Sequence, residues 1–94
     1  MREPAFTLGV EEEYLLVDRA SGDIAVSPPE EVLAACQAAA PGRVHPEFLR
    51  CQIEVGTEVC QTVADARRQL AALRRLTGRV AAAHGLAPIA ASTH

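Results

Sequence analysis

Lysine is absent from this 94-residue chain; every one of its nine basic side chains is arginine. That bias reads as a base-composition habit of the gene and points to no ligand. Tryptophan is absent too, and aromatic residues make up only 3% of the sequence. A core therefore has to be assembled from alanine, leucine and valine, which favours thin, closely packed helices. Net positive charge is lacking: the formal charge is −3, which argues against a nucleic-acid surface. No apolar run approaches the roughly 18 residues of a membrane span. The stretch from Met1 to Gly9 has no apolar segment of signal-peptide type, so a cytoplasmic protein is expected, with neither nucleic acid nor membrane as partner. The three cysteines, Cys36, Cys51 and Cys60, are an odd set without a CxxC pair, which fits neither a disulfide framework nor a zinc site. Buried, reduced thiols are the expectation. The phosphate-cradling GxxxxGK[ST] and GxGxxG loops, the nucleophile elbow GxSxG and the zinc motif HExxH are all missing. Any nucleotide would have to be held through metal and side chains.

What is present is patterned. Residues 6–17 alternate, with Phe6, Leu8, Val10, Tyr14 and Leu16 on one face and Thr7, Gly9, Glu11 and Glu13 on the other. Glu12 falls on the apolar face, a conflict that an edge position or a small bulge would relieve. Asp18 to Asp23 supplies turn residues, with Gly22 in the left-handed region, and leads to a short strand from Ile24 to Val26. The two strands read as a hairpin. Ser27 as N-cap and Glu30 at the capping-box position predict a helix over about residues 29–38. A second alternation sets Leu49, Cys51, Ile53 and Val55 against Arg50, Gln52 and Glu54. Thr62 with Asp65 opens an amphipathic helix of about 20 residues carrying Val63, Ala66, Leu70, Leu73, Thr77 and Val80. Gly85 ends it, and Ile89 to Ala91 reads as a last strand. The order β-β-α-β-α-β predicts an α+β fold, a mainly antiparallel sheet with helices on one face.

Glu11 and Glu13 stand two apart on a strand, so their carboxylates share a face with Cβ atoms about 6–7 Å apart. Like charges that close are unfavourable unless something neutralises them, and Mg²⁺ does so through one or two carboxylates plus substrate phosphates. The same spacing fits a solvated polar face. If the two alternating strands pair, Glu54 joins Glu11 and Glu13, and Arg50 or Gln52 could then reach substrate oxygens. His45, His84 and His94 are scattered; His84 sits where a helix C-terminus favours an imidazolium.

The stretches GVEEEYLLVD, HPEFLRCQIEVGT, a long arginine-rich helix and HGLAPIAASTH, taken in order from Phe6 to His94, resemble the start of the carboxylate–amine ligase family, the bacterial type 2 group of glutamate–cysteine ligases. The resemblance implies a fold related to glutamine synthetase, in which a curved antiparallel sheet carries the active site. It implies that ATP, as co-substrate, phosphorylates a carboxylate such as the γ-carboxyl of glutamate. An amine such as that of cysteine then attacks the acyl phosphate. It also implies Mg²⁺ ions bridging sheet carboxylates and phosphates. Glu11, Glu13 and Glu54 are the implied metal ligands. Glu47 sits where more distant glutamate–cysteine ligases carry another acidic ligand; seven residues separate it from Glu54, so a bend near Pro46 is required. Arg50, Gln52 and Thr57 become substrate or nucleotide contacts by position, and Glu58 stands where a proline is expected. Family members are several times longer. Residues 1–94 are therefore read as one N-terminal segment of a larger ligase catalytic domain. The adenine site, further metal ligands and most of the amino-acid pocket are expected downstream, in the same or a second chain, and a homo-oligomer is the remaining partner expectation. The competing class is a non-catalytic α+β module derived from that fold that binds metal or dimerises.

Overall fold

A computed structural model describes residues 7–26, 28–46 and 51–93. Its elements are β1 (Glu11–Asp18), α1 (Glu30–Ala39), β2 (Val44–Pro46), β3 (Gln52–Gly56), α2 (Val63–Ala83) and β4 (Leu86–Thr93). The strands form one antiparallel sheet in the order β2-β3-β1-β4. The fold is α+β, as the patterning predicts, and both helices pack on the same sheet face. Tyr14 and Leu16 of β1, Ile53 and Val55 of β3, Val32 and Cys36 of α1, and Leu70, Leu73 and Ala81 of α2 make one buried core. All three cysteines are free and buried.

The alternation in residues 11–16 is borne out residue by residue: Glu12, Tyr14 and Leu16 are buried, while Glu11 is exposed and Glu13 and Leu15 are half-buried. Both ends of α2 follow local chemistry. The Thr62 hydroxyl accepts from the Asp65 N–H at 3.0 Å, and Gly85 follows the helix at φ +72°, a conformation that costs glycine nothing. His84 is the C-cap residue, with Nδ1 3.2 Å from the Val80 carbonyl oxygen.

Three features differ from the sequence reading. The hairpin partner of β1 shrinks to one bridge, Val17 to Ile24. β3 claims Glu11–Leu15, so only the end of β1 remains for residues 23–25, and Ile24 and Val26 stay exposed. β2 is an additional strand, pairing Val44, His45 and Pro46 with β3; its edge position is what admits Pro46. The start of α1 is Pro29, without a side-chain cap bond, and the expected cap Ser27 lies outside the described residues.

The turn after β1 is closed by Asp18, whose Oδ1 accepts from the N–H groups of Ala20 at 2.9 Å and Ser21 at 3.0 Å. These bonds, Ser21 first, hold the Asp18 carboxyl below its ordinary pKa. A depressed carboxyl contributes stability above its unfolded pKa and loses it as pH falls through the folded value. An acid titration followed by NMR should therefore shift the Ala20 and Ser21 amide resonances together, with a midpoint below the ordinary aspartate value of about 3.9. A midpoint at or above that value would contradict the turn assignment.

Candidate functional site

The sheet face away from the helices carries the polar residues. β1 and β3 pair with Glu13 directly opposite Glu54, Glu11 opposite Gly56 and Leu15 opposite Gln52. Directly opposed residues of antiparallel strands project to the same side with Cβ atoms about 4.5–5.5 Å apart, and like charges in that relation destabilise the sheet. The pairing that the sequence reading made conditional is thus present, and Glu11, Glu13 and Glu54 share one face. β2 extends the row, because His45 is opposite Glu54. Glu11, His45, Glu54, Gly56 and Thr57 border a shallow hollow of about 380 Å³ at this end of the sheet.

Gln52 helps to shape the row: its Nε2 donates to Glu13 Oε1 at 2.7 Å. Thr57 fixes the entry of β1, since its N–H donates to the Val10 carbonyl at 2.9 Å and its hydroxyl accepts from the Val10 N–H at 3.0 Å. Glu58 is bound into its loop, with its N–H donating to Gln69 Oε1 at 2.9 Å and its carboxylate paired with Arg43. A proline here would forfeit that N–H bond. Glu47 and Arg50 lie outside the described residues, as does His94.

The donor chemistry suits a hard cation, because two opposed carboxylates meet the modest protein contribution that Mg²⁺ requires. The residues do not form a closed cage: among the described residues no three acidic, histidine or cysteine side chains converge on one point.

The buried side of β1 holds what the sequence reading missed. Glu12 is 1% exposed, and neither of the expected remedies accounts for it. β1 is an interior strand, and its one bulge, against β4 between Glu13 and Tyr14, leaves Glu12 facing the core. Arg74 of α2 receives the carboxylate through two bonds, Nε to Oε1 at 2.7 Å and Nη2 to Oε2 at 2.5 Å. The Tyr14 hydroxyl also donates to Oε1. Burial first, then the Glu12 hydrogen bond, pushes the Tyr14 pKa well above the ordinary tyrosine value, so the hydroxyl stays a donor. Glu12 in turn raises the Arg74 pKa further.

The chain matches the family described as glutamate–cysteine ligase family 2 (GCS2) over residues 7–94. It belongs to that family. The chain is 58% identical over 98 aligned positions to a protein of Rhodospirillum rubrum provisionally named glutamate–cysteine ligase 2; the match covers all of this chain and 25% of that protein. Proteins of the same provisional name from Paracoccus denitrificans and Jannaschia sp. are each 54% identical, over 98% and 95% of this chain and 24% and 23% of their own lengths. The GCS2 segment seen here thus spans about a quarter of the length of these curated relatives. Among the described residues no helix is long and apolar enough to cross a membrane.

Proposed function

We propose that this chain is the N-terminal part of a cytoplasmic, ATP-dependent carboxylate–amine ligase, and that its open sheet face is the floor on which the phosphates of ATP are held. The supporting observation is the direct opposition of Glu13 and Glu54 across β1 and β3. Two carboxylates side by side on an open sheet face offer the hard oxygen ligands that Mg²⁺ takes. Glu13 and Glu54 would ligate Mg²⁺, with Glu11 beside them. Bound there, the metal neutralises polyphosphate charge and the charge that develops during phosphoryl transfer. Gln52 keeps the Glu13 carboxylate oriented. Glu47 is proposed as a further ligand, and Arg50 and Thr57 as contacts for substrate or nucleotide oxygens.

In the reaction proposed, a carboxylate such as the γ-carboxyl of glutamate attacks the γ-phosphoryl group and ADP leaves. An amine such as that of cysteine then displaces phosphate from the acyl phosphate. The rest of the ligase, in the same or a second chain, supplies the adenine and amino-acid pockets. The test is ADP release by the assembled ligase with glutamate and a panel of amines. Wild type should require Mg²⁺, and Glu54→Gln should lose the activity while keeping its circular-dichroism spectrum. Undiminished turnover by a folded Glu54→Gln enzyme would remove Glu54 from the site.

A further inference from the structure

Three adjacent glutamates can face the sheet in two ways. Either Glu11 and Glu13 reach the open face with Glu12 inside, or Glu12 reaches it alone. Because strand side chains alternate with period two, a one-residue slip exchanges the two sets. We propose that Arg74, Glu12 and Tyr14 form a positioning device that selects the first arrangement and holds the Glu11 and Glu13 carboxylates in place for the cation. The proposal rests on the reading of the open face as a metal site.

The geometry carries it. Arg74 grips Glu12 through both carboxylate oxygens, and a guanidinium fork fixes direction as well as distance. Tyr14, two residues along the same face, closes on Oε1. Glu12 is flanked by Glu11 and Glu13, so anchoring it fixes the twist of the strand at both. α2 is itself held by Leu70, Leu73 and Thr77, which are buried around Arg74. Stability alone does not account for the pair: only its carboxylate is buried, the Arg74 side chain being half-exposed, and apolar replacement even of fully buried ion pairs is often neutral or stabilising. Fixing register is the best-attested use of such a pair. Arg74 and Tyr14 are positioning residues; neither need touch substrate.

The test uses the assembled ligase and Mn²⁺ as probe, titrated by electron paramagnetic resonance without turnover, alongside the melting temperature. In Glu12→Leu/Arg74→Met an apolar pair replaces the ionic one. The melting temperature should stay near that of wild type while the Mn²⁺ Kd rises about tenfold, the low end for loss of an outer-shell partner. Arg74→Lys keeps the charge without the fork, and should raise Kd by a smaller factor. Wild-type Mn²⁺ affinity in either folded variant overturns the proposal. Glu13→Gln separates the two ideas: if it binds Mn²⁺ as wild type does, the metal-face reading itself fails.

Discussion

Replacing Arg74 by methionine should destabilise the sheet by about 3 kcal/mol, the lower end of the cost of breaking a buried ion pair from one side. The lower end applies because the Arg74 side chain is 55% exposed while that of Glu12 is 1% exposed. Water can enter part of the space that the guanidinium vacates, while the Tyr14 hydroxyl keeps its bond to the carboxylate. The amides of Tyr14 and Leu16 lie in the interior strand and should lose about a hundredfold of hydrogen-exchange protection, at 1.4 kcal/mol per decade. Glu12→Gln should cost less, about 1 kcal/mol, because an amide oxygen in the Oε1 place can still accept from Arg74 Nε and the Tyr14 hydroxyl, and only the Nη2 bond is lost. Equal losses in the two variants would mean that packing, not the charge-assisted bonds from Arg74, is what matters at this position.

The second large effect concerns the open face. Glu13→Gln in the assembled ligase should reduce Mg²⁺-dependent ADP release by more than the 10- to 100-fold typical of an outer-shell change. Glu13 and Glu54 oppose each other directly, so each removes half of the two-carboxylate seat. Glu11→Gln should cost less. It lies opposite Gly56 and is exposed, at the margin of the seat. The effect should appear as a higher Mg²⁺ requirement, with folding intact. A glutamine at position 13 keeps a side-chain carbonyl that can accept from Gln52, so Glu13→Gln should leave the melting temperature nearly unchanged. A large fall in melting temperature would assign Glu13 a structural role in place of the proposed one.

The contrast between the two faces of β1 explains what was legible from sequence. Glu11, Glu13 and Glu54 could be placed on one side by counting in twos, and the antiparallel pairing has made that count geometrically real. Glu12 could be recognised as a conflict, but its resolution lies 62 residues away on a helix that repeats every 3.6 residues. Period-two reasoning cannot reach it. A signal was available in α2: Arg74 stands next to Leu73 of the buried stripe, at the border of the apolar face. His45 reads from sequence only as one of three scattered histidines, for a related reason. It belongs to a three-residue strand too short to show an alternation, and only the register with Glu54 places it beside the site. The hairpin at Ile24 was over-read because local turn chemistry, correct at Asp18 and Gly22, says nothing about which strand takes the neighbouring ladder positions.

The most direct test is to locate the cation. Crystals of the assembled ligase soaked with Mn²⁺ and ADP should show an anomalous scattering peak in direct contact with carboxylate oxygens of Glu13 and Glu54. A bound Mn²⁺–ADP whose metal ligands include neither Glu13 nor Glu54 would contradict the account.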